Sequence, residues 1–274
     1  MRALTMSALL VLLPALGTAQ GRIYLAYAEG EGGRPLGAYY SHGKLVALER
    51  RDWDLALATF RAGRVLPAVS DSGVSLRVRI DSVNRDAEYY EPVLVVSAPG
   101  RRHPPHFTLI VGAPSLAIHV VPHEVGTIST IEDAALRRRA GQLWREALQE
   151  RAPEDSAARY TLRRSVVHAL PTTPGIITVQ YGVDITWPGH NKDDRASFFF
   201  IYSRAAGRIL YGSFGHPEWA PSNNSTVLTV QPYLYFRVAD GPSVYFLGDH
   251  SAGWESSGVA IYDLNTGRAL IQDY

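Results

Sequence analysis

The sequence contains no cysteine among its 274 residues. This absence excludes a disulfide framework, a zinc site with cysteine ligands, a cysteine nucleophile and a lipid anchor attached to cysteine. Lysine is almost absent as well, because Lys44 and Lys192 are the only lysines among the 27 basic residues. The formal net charge is +1, and the one basic triplet, residues 137–139, would spread around a helix. Nucleic-acid binding requires basic residues concentrated on one face, so we predict no nucleic-acid partner.

Phosphate-binding glycine motifs are also missing, since neither G-x-x-x-x-G-K-[ST] nor G-x-G-x-x-G occurs. The glycine-rich run EGEGGRPLG begins with acidic residues, which would repel phosphate. His119, His123 and Glu124 have side chains that can bind metal, but on a strand the two histidines would lie about 13 Å apart. That separation is too long for one zinc ion with ligands at about 2 Å. We therefore predict no metal and no cofactor.

The N-terminus has the layout of a cleavable secretory signal peptide, residues 1–19. Arg2 precedes an uncharged run from Ala3 to Leu16, and small residues follow at the expected cleavage positions. The run is shorter than the roughly 20 residues that a membrane-spanning helix needs. We predict an exported soluble protein, secreted or periplasmic, whose mature chain has no membrane span.

Two segments show the apolar spacing of amphipathic helices. In the first, DWDLALATFRAG, Asp52 can cap the start. The second begins with Thr130 and Asp133, which resemble a capping box, and stops before Pro153. Both segments are therefore predicted to be helices, in a chain whose other segments are patterned as strands.

Most of the remaining sequence alternates apolar and polar residues, as half-buried strands do. The run at 176–187 is long for one strand, so Gly182 is expected to mark a bulge or bend. The run SFFFIYS is apolar on both faces, which predicts a central strand covered on both sides. Around Gly207 and Gly267, an aromatic strand, a polar turn and a returning strand predict antiparallel hairpins.

These patterns predict a mainly β protein with two helices, of the α+β class, built from antiparallel sheets. The polar segment 148–160 would separate an α+β N-terminal region, residues 20–150, from an antiparallel β region, residues 156–274. We expect the C-terminal half to be a sandwich or a barrel. The two regions could also form one domain.

The segment FLGDHSAGWESSG places Ser251 in a context similar to the nucleophile elbow of esterases. The elbow needs glycine two residues before and two residues after the serine. Gly253 satisfies the second requirement, but Asp249 occupies the first position. No histidine follows the serine, and the sequence continues as a loop and a strand rather than a helix. We therefore interpret the segment as a connection between two strands; the alternative is a serine hydrolase with another chain order, which would use an upstream histidine, His168, His190 or His216.

Two glycine-flanked strand ends carry the same set of groups: a histidine, a carboxylate and a tryptophan. The residues are His216, Glu218 and Trp219 in one loop, and Asp249, His250, Trp254 and Glu255 in the other. Antiparallel packing could bring both loops to one end of the β region. Aromatic faces and carboxylates would suit a small-molecule or carbohydrate ligand there.

Three interpretations of these loops follow. The first is non-catalytic ligand binding through the loops. The second is a secreted hydrolase that acts on glycosides with Glu218 and Glu255 as its catalytic carboxylates. The third is structural, in which the tryptophans cover the core and the carboxylates cap turns. The exposure of the tryptophans and the separation of the two glutamates distinguish the three.

Overall fold

The computed structural model describes residues 22–49, 52–85, 92–99, 107–113, 117–153, 157–187, 194–216, 229–238, 241–251 and 257–272. Within these residues the helices are α1 (Trp53–Thr59) and α2 (Thr130–Arg151). The strands are β1 (Ile23–Glu29), β2 (Gly32–Ser41), β3 (Lys44–Ala47), β4 (Val65–Ser70), β5 (Ser75–Arg85), β6 (Pro92–Ser97), β7 (Phe107–Val111), β8 (Ile118–Val120), β9 (Glu124–Val125), β10 (Arg159–Ala169), β11 (Ile176–Thr186), β12 (Asp194–Ser203), β13 (Arg208–Gly215), β14 (Thr229–Val238), β15 (Val244–Ser251), β16 (Ser257–Asp263) and β17 (Arg268–Gln272). The predicted class, mainly β with two helices and antiparallel sheets, is confirmed.

Six strands of the N-terminal half close into an antiparallel barrel. Their order is β1-β7-β4-β5-β6-β2, and pairing of β2 with β1 completes the circuit. Successive strand residues point into and out of the barrel. Ile110 therefore belongs to the interior core, whereas its neighbours Leu109 and Val111 belong to the core outside. Helix α1 adds Ala56 and Phe60 to the interior core.

The C-terminal half forms a two-sheet sandwich, one of the two predicted architectures. We call the sheet β13-β12-β11-β10-β9 the helix-side sheet and the sheet β17-β16-β15-β14-β8 the central sheet. Strands β8 and β9 come from the segment 118–125, so this short stretch contributes one strand to each sheet. Phe199, Phe246 and Tyr262 lie in the buried cluster between the two sheets.

The structure is layered in the order α2, helix-side sheet, central sheet and barrel. Strand β12 shows how the sequence specifies this arrangement. Phe198 and Phe200 pack towards α2, whereas Phe199 and Ile201 pack towards the central sheet. All four are buried, and full burial of such a side chain is worth roughly 1.5–3 kcal/mol. The prediction of a strand covered on both faces is confirmed.

Both predicted hairpins form, with β12 joined to β13 and β16 joined to β17. Gly207 and Gly267 each occupy the left-handed region, with φ of 59° and 70°. Glycine reaches this region without the steric cost that other residues meet there. Strand β14 continues through Pro232, where its pairing with β15 is irregular between Pro232 and Leu234.

The N-terminal cap of α2 lies one residue earlier than predicted. Ser129 accepts from the backbone N–H of Glu132 at 3.3 Å, and the Glu132 carboxylate accepts from the backbone N–H of Ser129 at 2.7 Å. Glutamate is long enough to reach back to the cap, which aspartate is not. Thr130 is the first helical residue, and Asp133 accepts a hydrogen bond from the Tyr181 hydroxyl at 2.6 Å.

Two other local predictions also need correction. Asp52 precedes α1, but its carboxylate makes no cap and instead binds Arg22 at 2.8 Å. The expected irregularity does occur at Gly182, but the extra residue belongs to the neighbouring strand. The pairing of β10 with β11 shifts between Leu162 and Ser165, directly opposite Gly182.

Candidate functional site

The structure describes three of the seven sequence-predicted site residues. His216 is buried and directly follows β13. Asp249 and His250 lie near the end of β15, where their backbones pair with Val259 and Gly258 of β16. The remaining four lie outside the described residues: Glu218, Trp219, Trp254 and Glu255.

Side-chain contacts across the sandwich show that its two sheets are aligned strand over strand. The contacts are Tyr211–Tyr262, with ring centroids 4.8 Å apart, Phe199–Phe246, with centroids 5.3 Å apart, and Thr178 Oγ1–Tyr235 OH at 2.6 Å. They join β13 to β16, β12 to β15 and β11 to β14. The strands that carry the predicted site residues therefore lie in adjacent positions of the two facing sheets.

Two further contacts establish which ends of the sheets coincide. Arg237 of β14 donates to the Thr172 carbonyl at 3.0 Å, in the turn between β10 and β11. The turn after β16 meets the first half of β13, because an added Cβ on Gly267 would lie 2.6 Å from the Leu210 carbonyl oxygen. The other ends of the strands must therefore lie together at the opposite edge.

We call that opposite edge the loop edge. It comprises the ends of four strands: Gly215–His216 after β13, Thr229 of β14, Ser251 of β15 and Ser257 of β16. The structure thus brings His216 to the same edge as Asp249 and His250. The chain also leaves β13 and enters β14 at this edge, and it leaves β15 and enters β16 there.

Ser213 is an unusual residue just inside the loop edge. It pairs with Phe199, whose side chain lies between the sheets, so Ser213 faces the central sheet. Its side chain is fully buried, and its hydroxyl has no hydrogen-bond partner among the described residues. Burying an unpaired hydroxyl costs roughly 1–3 kcal/mol, so this position favours a polar partner.

A second polar cluster lies on the central part of the sandwich. The Tyr235 hydroxyl contacts Thr178 Oγ1 at 2.6 Å and His168 Nδ1 at 3.1 Å. The His123 ring packs against His168, with centroids 4.4 Å apart. Burial raises the pKa of Tyr235 far above its usual value. Burial also lowers the pKa of His168, and the nearby His123 lowers it further.

These shifts keep the Tyr235 hydroxyl and the His168 imidazole neutral at pH 7. His168 bonds to no carboxylate among the described residues, so the cluster lacks the acid that orients histidine in a catalytic triad. The cluster borders a groove of about 450 Å³, which the barrel turn at 71–75 and the segment 118–123 line together. The side chains of the cluster come from distant segments of the chain, and two of them, His123 and His168, are candidates from the sequence.

Ser251 is the last residue of β15 and pairs with Ser257 of β16 and Thr229 of β14. A nucleophile elbow joins a strand to a helix, whereas here the chain returns as a strand. The interpretation of this segment as a connection between two strands is confirmed. Of the metal candidates, His119 lies in β8 and Glu124 in β9, which belong to different sheets. No cluster of three or more potential metal ligands occurs among the described residues.

Comparison with protein-family models, curated proteins and solved structures found no match to this chain. Neither helix of the described chain is both long and apolar enough to cross a membrane.

Proposed function

We propose that the protein is an exported, non-catalytic binding protein that holds a small polar ligand, most suitably a carbohydrate, at the loop edge. The observation that carries the proposal is that His216, directly after β13, and the end of β15 lie at the same edge of the sandwich. These features supply hydrogen-bonding groups that a polar ligand can satisfy.

The chemistry of the two intervening sequences supports a sugar. The chain from β13 to β14 carries Glu218 and Trp219, and the chain from β15 to β16 carries Trp254 and Glu255. A tryptophan ring can pack against the apolar face of a sugar ring, while carboxylates accept hydrogen bonds from its hydroxyls. Both sequences start and finish at the loop edge.

Tryptophan fluorescence during titration with cello-, xylo-, malto- and chito-oligosaccharides tests this proposal. We expect at least one of these series to bind, and Trp219→Ala and Trp254→Ala to weaken binding at least tenfold. Trp53→Phe is the control, because Trp53 belongs to α1 beside the barrel. The proposal fails if no oligosaccharide binds, or if both alanine variants bind as the wild-type protein does.

The second candidate function is glycoside hydrolysis with Glu218 and Glu255 as the catalytic carboxylates. The same juxtaposition favours it, because both glutamates belong to chain segments that begin and end at the loop edge. Catalysis would need their carboxyl groups within roughly 5–10 Å of one another. Release of reducing sugar should then exceed background for the wild-type protein and fall to background in both Glu218→Gln and Glu255→Gln. Equal release by all three proteins would eliminate the enzyme.

A further inference from the structure

A separate cavity of about 480 Å³ lies at the outer edge of the central sheet, next to β8. Its lining comprises the segment 119–122 together with Thr172, Arg237 and Gly241. Arg237 contacts the turn between β10 and β11, which is at the end of the sandwich opposite the loop edge. The cavity is therefore distinct from the carbohydrate site proposed above. Its size falls within the range of about 300–1,000 Å³ that small-molecule sites occupy.

Arg237 and His119 form a cross-strand pair in this cavity. The two residues are direct partners in the antiparallel register of β14 and β8. Partners of this kind project from the same face of a sheet, with Cβ atoms about 4.5–5.5 Å apart. Both residues line the cavity, and no acidic residue does so among those described. Among the described residues, a guanidinium and an imidazole thus share one concave surface.

The guanidinium of Arg237 is held in place by neutral groups, and no carboxylate of the described residues forms an ion pair with it. One of its amino groups, Nη2, donates to the Thr172 carbonyl at 3.0 Å and to Thr173 Oγ1 at 2.9 Å. Both acceptors are neutral. Nε is buried and donates to no atom of the described chain. Burying a cationic donor without an anion is unfavourable, and Nη1, the amino group that the threonines do not engage, can donate a charge-assisted hydrogen bond to an oxyanion.

We propose that this cavity binds the anionic group of a small molecule, a phosphate or a carboxylate, through Arg237 with His119 beside it. The two threonines fix the guanidinium through Nη2, and Nη1 donates to the anion. The segment 120–122 supplies the apolar wall against which the rest of the ligand packs. The proposal concerns a second ligand and is independent of whether a carbohydrate binds at the loop edge.

Titration with inorganic phosphate and with citrate, followed by calorimetry and by the thermal unfolding midpoint, tests the proposal. We expect saturable binding and a rise in the midpoint, and no rise with sodium chloride at equal ionic strength. Phosphate without citrate, or citrate without phosphate, identifies which anion the site prefers. The proposal is overturned if neither anion has an effect beyond that of sodium chloride.

Variants locate the binding. Arg237→Gln should abolish it, and Arg237→Lys should weaken it at least tenfold, because lysine keeps the charge but lacks the planar guanidinium that the two threonines hold in position. The control is Arg208→Gln, an exposed arginine at the start of β13, which should bind both anions as the wild type does. Undiminished binding by Arg237→Gln would refute the assignment.

A measurement on the wild-type protein covers the case in which both Arg237 variants fail to fold. Hydrogen–deuterium exchange with and without phosphate should show added protection in peptides that cover 118–122 and 171–173. Added protection only in other peptides, or none, would overturn the proposal.

Discussion

Replacing Tyr235 with phenylalanine should destabilise the sandwich through one hydroxyl group. Tyr235 is almost fully buried between the two sheets, and its hydroxyl bonds to Thr178 at 2.6 Å and to His168 at 3.1 Å. The phenyl ring would occupy the same space, so the apolar packing against Phe246 is kept. The variant therefore isolates the hydrogen bonds from the packing of the ring.

The loss comes mainly from Thr178, which is only 2% exposed. Its hydroxyl would have no partner, at a cost of roughly 1–3 kcal/mol. His168 is half-buried, so water can replace the lost partner there. For a protein of this size we expect the unfolding midpoint to fall by about 2–4 °C for each kcal/mol lost. A loss of roughly 1–3 kcal/mol is a substantial fraction of the free energy of unfolding of a typical protein, which is about 5–15 kcal/mol.

The decisive comparison adds Thr178→Val, which removes the partner as well. Once both hydroxyls are absent, neither is left unpaired, so the double variant should cost less than the sum of the single variants. Guanidinium chloride denaturation followed by tryptophan fluorescence gives the three free energies. Strict additivity, or a Tyr235→Phe variant as stable as the wild type, would refute the inferred pairing.

Three further predictions concern the pH response, a turn and a helix cap. Burial lowers the pKa of His168, so the neutral imidazole contributes to stability above about pH 6.5, and this contribution declines below that pH by at most about 1.4 kcal/mol per pH unit. The free energy of unfolding of His168→Gln, measured by denaturation, should therefore fall less steeply than that of the wild type as the pH is lowered below about 6.5. Gly267→Ala should destabilise more than Gly207→Ala, because both glycines have positive φ but only Gly267 faces a backbone carbonyl; equal unfolding midpoints would contradict this. Ser129→Ala should cost about 1 kcal/mol in denaturant unfolding and Thr130→Ala much less, whereas the reverse order would favour the cap predicted from sequence.

Much of the fold was predictable because its signals are local. The alternating residues of β5 and β11, the doubly apolar run of β12 and the turns at Gly207 and Gly267 each specify their structure within about ten residues. The barrel was not predictable in the same way. Its circuit includes the pairings of β1 with β7 and of β4 with β7, which join strands far apart in the sequence, and pairing between distant strands leaves no local pattern in either strand.

The candidate sites divide along the same line. His216 and the Asp249–His250 pair could be identified because each belongs to a glycine-flanked strand end with a repeated set of residue types. Arg237 could not be identified from the sequence, because what marks it as a candidate is its pairing with His119, which lies on a strand from the other half of the chain. A cross-strand pair of this kind has no fixed spacing along the sequence.

The layered architecture explains why both proposed sites lie at edges. The central sheet buries one face against the helix-side sheet and the other against the barrel, so neither face can receive a ligand without opening a core. Polar groups on such a sheet remain accessible only at the ends of its strands or beside an outer strand. The loop edge lies at the ends of strands, and the cavity next to β8 lies beside an outer strand. A ligand at either place can bind while the apolar layers stay closed, which preserves the burial that holds the fold together.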